Sequence, residues 1–368
     1  MKIQPLSFFE WLLHNTDKAT YNLASSNIQG VLYEEFQQLT GFSLLKTFDL
    51  DQGYPRGAPL LKEVLCSLYH CTPEHIVTTI GASEANYLVL SSLLQPGDEV
   101  LVEQPGYQPM QQIPELLGAQ CRPWYRRYDD NYQLDLPSLK QLLNHKTKCI
   151  VLTNLHNPSG VAANHADIET VADLAQRHNM FVLIDEIFLD GSLIKQPTSF
   201  GLPNTIVTSG MTKIYGLGGL HCGWILAPET IAETCQNLKM HSTVVTPYLS
   251  EIMSALALQK ARHALIQRFQ KIATTNMALL KQWIHGNDDL VEWVEPHGGI
   301  ICFPKYRLSI SSMALCQQVL DKYKVLIDPG SFFGEEGHVR ISCGCAPSIF
   351  QEALQVLTKG LREIHASH

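Results

Sequence analysis

Lys213 is the residue around which a chemistry can be built. It closes the segment Ser209-Gly210-Met211-Thr212-Lys213 and leads into Tyr215-Gly216-Leu217-Gly218-Gly219, so a primary amine stands among small hydroxyl and glycine residues where a bulky cofactor has room. An ordinary lysine amine, with a pKa of about 10.4, is protonated and a poor nucleophile at neutral pH. Joined to an aldehyde as an imine it becomes a reactive electrophile, and once displaced it can carry a proton. A surface lysine beside a glycine turn is the plainer reading of the same segment.

Five further pieces give that amine company. Asp185 ends the apolar run Val182-Leu183-Ile184, and a carboxylate there is costly unless it meets a cation or hydrogen-bond donors. A protonated pyridine nitrogen is such a cation, and holding its proton keeps the ring an electron sink. The competing role, a strand-end acid capping the next helix, is open to Glu186. The segment Thr153-Asn154-Leu155-His156-Asn157-Pro158-Ser159-Gly160 follows another apolar run; Asn157-Pro158 favours a turn, and the Asn157 amide can donate to a phenolic oxygen. Gly81-Ala82-Ser83-Glu84-Ala85-Asn86 opens a helix, whose free N–H groups bind phosphate, with the Ser83 hydroxyl as an added donor or as a simple cap. Gln104-Pro105-Gly106-Tyr107 can lay Tyr107 against an aromatic ring. Arg340, in Val339-Arg340-Ile341-Ser342, has a planar fork that matches a carboxylate, although a structural ion pair would also account for it. Pyridoxal 5'-phosphate (PLP) is one cofactor that carries an aldehyde, a pyridine nitrogen, a phenolic oxygen and a phosphate and could engage these pieces, most of which also have a plainer reading.

These residues need a frame. From about residue 60 to 225, short strand-like runs alternate with amphipathic helices, and the predicted strands are His75–Thr79, Glu99–Glu103, Gln120–Trp124, Cys149–Leu152, Phe181–Ile184, Thr205–Ser209 and His221–Ala227. Such alternation implies an α/β fold with a mostly parallel seven-stranded sheet covered on both faces. Open sheets of this kind bind ligands at the carboxyl ends of their strands, where the polar residues above fall. Beyond residue 247 the pattern becomes a smaller α+β domain: a helical stretch over Tyr248–His285, broken once, strands at Leu290–Val294, Ile300–Phe303, Val325–Ile327 and His338–Ser342, and helices at Ser312–Tyr323 and Ser348–Ile364. The expected division is a large domain over 46–265 and a small domain made of 1–45 and 266–368.

Composition narrows the setting. The chain has 368 residues, 45% of them hydrophobic and 17% charged, and a formal net charge of -8, the profile of a folded protein without the basic surface that nucleic acid requires. Ten cysteines form no CxxC pair, so neither zinc nor a redox motif is indicated, and no metal is expected. Glu10, His14 and Asn15 interrupt the apolar start, which argues against a secretory signal, and no run is long enough for a bilayer. A cytoplasmic location with reduced thiols is the expectation.

Taken in order, the pieces resemble class I/II aminotransferases, PLP enzymes of fold type I, from about Tyr21 to the C-terminus. The turns Gln95-Pro96-Gly97-Asp98, Pro296-His297-Gly298-Gly299 and Asp328-Pro329-Gly330-Ser331 fit as well. The resemblance implies that Lys213 carries the cofactor, Asp185 partners the pyridine nitrogen and Asn157 donates to O3′. It makes Tyr107 the aromatic stacked on the ring and places Gly81, Ala82, Ser83 and Thr212 around the phosphate. Arg340, with Asn157 and Ser26, would hold the substrate; Ser26, Asn27, Gln52 and Tyr54 are the positions near its side chain. The segment Tyr21-Asn22-Leu23-Ala24-Ser25-Ser26 is similar to a subgroup containing capreomycidine-synthase-like enzymes.

Four positions depart from that pattern. Gly210 replaces the first serine of the lysine motif, His221 an arginine that pairs with phosphate, Phe188 a tyrosine that donates to O3′, and Gln52 a tyrosine that reaches the partner subunit's phosphate. All four remove hydrogen bonds or positive charge from the cofactor. Histidine forfeits bidentate pairing and titrates near neutrality. Loss of the O3′ hydroxyl donor favours the protonated imine. The expected activity is transfer of an amino group from an amino acid to a 2-oxo acid by a homodimer. The departures motivate an alternative in which the same carbanion leads to β- or γ-elimination or replacement, cyclisation or oxidation. A sensor or degenerate subunit without activity is the third possibility, disfavoured by the retained Lys213, Asp185, Asn157 and Arg340 and by the lack of room for a DNA-binding segment before residue 20.

Overall fold

Seven apolar segments join into one sheet in the computed structural model, which describes residues 5–43 and 51–366. They are β1 (Ile76–Ile80), β2 (Glu99–Gln104), β3 (Gln120–Tyr125), β4 (Thr147–Thr153), β5 (Phe181–Asp185), β6 (Thr205–Gly210) and β7 (Cys222–Leu226). Their order across the sheet is β1-β7-β6-β5-β4-β2-β3. Only β7 runs antiparallel, against both β1 and β6; the remaining pairs are parallel. Burial on both faces explains why these strands read as apolar runs rather than alternating ones. Val100 and Val102 of β2, with Cys149 and Val151 of β4, pack into one layer, while Leu101, Ile150 and Leu152 pack into the other. Each such side chain contributes roughly 1.5–3 kcal/mol.

The fold type I architecture expected from sequence is what the chain adopts, and the strand boundaries differ by a residue or two for local reasons. His75 ends a 3-10 turn, Pro73–His75, so β1 begins at Ile76. His221 has φ +46, in the left-handed region, and β7 therefore starts after it. In the second part of the chain the strands shrink to pairs of residues. Leu290–Val294 and Ile300–Phe303 become Val291–Glu292 and Ile301–Cys302, while Val339–Ser342 is flanked by Ile301–Cys302 and Asp328–Pro329. The helices Ser312–Tyr323 and Pro347–Ala366 agree with expectation. The long helical stretch is interrupted once, by a π-helical turn over Ala257–Ala261 between Tyr248–Leu256 and Arg262–His285.

The N-terminal segment joins the smaller α+β part through Tyr21–Asn22, which pairs in parallel with Val325–Leu326. The helix Ser7–Asn15 bridges further: the Trp11 indole donates to the Ile327 carbonyl at 3.1 Å, and the Phe8 N–H donates to Gln108 Oε1 at 3.0 Å. Of the two boundaries expected between domains, the one at 45/46 lies outside the described residues. The one at 265/266 falls inside the helix Arg262–His285.

Candidate active site

The polar residues singled out above collect at one edge of the sheet because parallel strands deliver their carboxyl ends to the same side. Gly81 follows β1, Tyr107 follows β2, Asn157 follows β4, Asp185 ends β5 and Lys213 follows β6. A cleft of about 260 Å³ opens there, lined by all five together with Ala82, Ser83, Ser26, Thr212 and His221. Asp185 is 4% exposed, and its two carboxylate oxygens accept from the Asn86 amide at 2.9 Å and from the Ile187 N–H at 3.0 Å. Asn86 in turn accepts from the Thr208 hydroxyl at 2.6 Å, so the carboxylate is fixed by a chain of buried partners. Burial still pushes the Asp185 carboxyl up, against the pull of those donors. An added cation inside the cleft would reverse that push. Glu186 does not cap a helix: it accepts from Thr198 Oγ1 at 2.7 Å and Ser199 N at 2.6 Å and pins a loop.

Lys213 reaches across the cleft to the N-terminal segment, donating to Ser26 Oγ at 3.0 Å and Asn27 Oδ1 at 2.8 Å. Burial, helped by the positive charge of Arg340, brings its amine down to about 8, while Asp185 and Asp328 oppose the change. The antiparallel course of β7 explains His221. Ile80 pairs with Cys222, so the residue before β7 meets the residue after β1. Gly81 has φ +70, and a Cβ placed on it would stand 3.0 Å from His221 Nδ1. A glycine turn, an exposed Ser83 that makes no helix cap, and the His221 ring thus form one end of the cleft.

Arg340 is fully buried and lies behind Asn157 rather than on the cleft surface. Its Nη1 donates to Asn157 Oδ1 at 3.0 Å, which turns the Asn157 amide nitrogen away from Arg340. The half-buried ion pair considered from sequence is a completely buried one, with Asp328 at 2.6 Å. Phe8, Phe9 and Leu12 of the N-terminal helix line the same cleft, and Phe8 meets Tyr107 edge to face at 6.0 Å between centroids.

The profile of the aminotransferase class I and II family matches residues 47–357. The chain belongs to that family. Its cofactor is pyridoxal 5'-phosphate. It is 28% identical to capreomycidine synthase of Streptomyces vinaceus over 96% of this chain and 92% of that enzyme. It is 27% identical to the aspartate aminotransferase of Pyrococcus abyssi over 79% and 77% of the two chains. Among solved structures, a PLP-dependent aminotransferase from Streptococcus suis 89-1591 superposes with a TM-score of 0.93 at 28% identity, covering 99% of both chains. The fold is shared with the PLP-dependent cyclase OrfR, with a TM-score of 0.91 at 22% identity over 99% and 98% of the two chains.

The residues present fit the cofactor of this aminotransferase family. A buried carboxylate that forms no ion pair among the described residues, a half-buried lysine and a glycine turn at a helix start line the same cleft. Two contributors escaped the sequence reading. Asn86 falls three residues after Ser83, one helical turn deeper, and only that spacing hints at its role beside Asp185. Phe8, Phe9 and Leu12 lie in the apolar start, considered from sequence only as a secretory signal, and nothing local marks their target some hundred residues away. Gln52 and Tyr54 do not line the cleft; they bond to each other at 2.5 Å.

Proposed function

We propose that the protein is an aminotransferase that moves the amino group of an amino acid to a 2-oxo acid, with Lys213 as the proton carrier at the substrate α-carbon. The observation that carries this reading is the placement of the Lys213 amine and the Asp185 carboxylate in one cleft, the first on a strand-end turn and the second buried beneath it. The cofactor, when bound, supplies the electron sink that stabilises charge released at the α-carbon. Asp185 would hold the proton of the ring nitrogen, and Asn86 and the Ile187 N–H keep its oxygens aimed. Gly81, Ala82, Ser83, Thr212 and His221 line the cleft and would take the phosphate through helix-start N–H groups and side chains. Tyr107 would lie against the ring and Asn157 would donate its free amide to O3′. The Lys213 amine is held by Ser26 and Asn27 and burial brings its pKa down to about 8, so it would be suited to accept and return a proton near neutrality. Phe8, Phe9 and Leu12 keep bulk water from that exchange. We also read the protein as a homodimer, the commonest symmetric assembly and the one that completes the active sites of similar enzymes across a two-fold axis. Light scattering on the active protein checks it, and a fully active monomer would refute it.

A second reading keeps the residues and changes the fate of the carbanion to elimination, replacement, cyclisation or oxidation. It is favoured by Phe188, which brings an apolar ring to the cleft where a hydroxyl donor stands in similar enzymes, and by the near full-length similarity to a capreomycidine synthase. Mixing the loaded protein with a single amino acid separates the two. Conversion of the bound cofactor to its amine form, with one 2-oxo acid released per site, supports transamination. Ammonia release or a cyclised product, with the cofactor returned as the aldehyde, supports the second.

A further inference from the structure

Arg340 is not a free fork. Asp328 and Arg340 are register partners on adjacent antiparallel strands, so their side chains rise on the same face of that small sheet. Both are fully buried. One oxygen of Asp328, Oδ2, accepts from Arg340 Nε at 3.1 Å and from Nη2 at 2.6 Å. The second Nη2 proton goes to the Ala24 carbonyl at 3.0 Å, and Nη1 gives one proton to Asn157 Oδ1 at 3.0 Å. Of the five N–H donors in a guanidinium, one remains, on Nη1. The rings of Phe8 and Phe333 flank the group, with its central carbon 5.0 and 4.8 Å from their centroids. The whole assembly is packed against turning.

We infer that Asp328 is a positioning residue that holds Arg340 in an electrically compensated, half-closed form, so that a substrate carboxylate is received by one Nη1 proton of Arg340 together with the amide of Asn157. A bidentate clamp on a free guanidinium would need two parallel N–H donors, and Asp328 and Ala24 occupy the donors on Nε and Nη2. Asn157 lines the cleft with its oxygen committed to Arg340, which leaves its nitrogen as the second donor. The arrangement trades attraction for direction: the carboxylate meets a neutral pair rather than a bare cation, and its position is set by two donors on different elements. Burial pushes the Asp328 carboxyl up to about 6, with Arg340 pulling against it, so the pair is ionised at pH 8. The inference rests on the reading of Arg340 as the carboxylate site.

Asp328→Asn isolates the charge. Both bonds to Arg340 use a single oxygen, and the other oxygen is buried without a partner, so an amide oxygen can keep the two bonds while the amide nitrogen takes the unpartnered place. The probe is propanoate, which lacks an amine and cannot displace Lys213, titrated calorimetrically into the PLP-loaded protein at pH 8. Asp328→Asn should lower its Kd on the order of tenfold, because a negative charge close to the carboxylate is gone. An unchanged or higher Kd overturns the inference. A crystal structure of the unaltered loaded protein with propanoate gives a second test that needs no variant. Contacts to Arg340 Nη1 and Asn157 Nδ2, with the Asp328 bonds intact, support the inference; a guanidinium turned off Asp328 to make two bonds to the ligand overturns it. Should Arg340→Met bind propanoate as tightly as the unaltered protein, the carboxylate sits elsewhere and the reading of Arg340 fails independently of Asp328.

Discussion

At the scale of single residues, burial decides how charge behaves in the cleft. In the cofactor-free protein the Lys213 amine has a pKa of about 8 against an ordinary 10.5. Between those values the unfolded chain binds more protons than the folded one, so this group penalises folding below pH 8 and the penalty fades as pH rises to 10.5. Denaturant midpoints of the cofactor-free protein and of Lys213→Met, followed from pH 7 to 10.5, should therefore converge on the alkaline side, the variant being the more stable near neutrality. Parallel curves would contradict the assignment. Lys213, Asp185 and Asn157 were legible from sequence because each ends or follows an apolar run, where an unexplained polar group is conspicuous. Asp328 was visible only as the first residue of a turn. Its partner is fixed by strand register, which local sequence does not state.

At the scale of elements, the antiparallel strand of the seven-stranded sheet has a specific duty. β7 brings His221 to the turn after β1, and the two strands approach so closely there that a Cβ on Gly223 would lie 2.4 Å from the Gly81 carbonyl carbon. Gly223→Ala should cost about 1–3 kcal/mol, or more, by overpacking. It should also raise the Kd for PLP, since the phosphate turn moves with the strand. Urea midpoints and equilibrium dialysis check the two effects, and a variant with unaltered stability and cofactor affinity would refute the role given to this contact. The large-domain strands were predictable because two-sided burial gives uninterrupted apolar runs. The small-domain strands were overestimated in length, as pairing there reaches only two residues before a turn intervenes, and hydrophobicity continues past the ladder into the core: Ile300 and Phe303, on either side of Ile301–Cys302, are buried without being strand.

At the scale of the molecule, the N-terminal helix Ser7–Asn15 is a piece that local sequence did not assign to the cleft. Its Phe8 backbone is bonded to the large domain and its Trp11 indole to the small one, so a short helix both lines the cleft, as its proposed cover, and ties the two parts together. Trp11 is 6% exposed and packs on Phe332. Trp11→Ala should destabilise the protein by about 3–5 kcal/mol and lower turnover as the cover loosens. Thermal melts and steady-state rates measure both, and full activity in a folded variant would show that the cover is dispensable. An apolar helix face announces that it will be buried but not what will bury it, which is why this contact had to come from the structure.

We propose that Lys213, and no other lysine, carries the cofactor. Reducing the PLP-loaded protein with borohydride and mapping its peptides by mass spectrometry tests it directly. One stoichiometric pyridoxyl adduct is expected on the peptide containing Lys213, lost in Lys213→Ala. An adduct on another lysine, or none on a protein that still turns over, would contradict it.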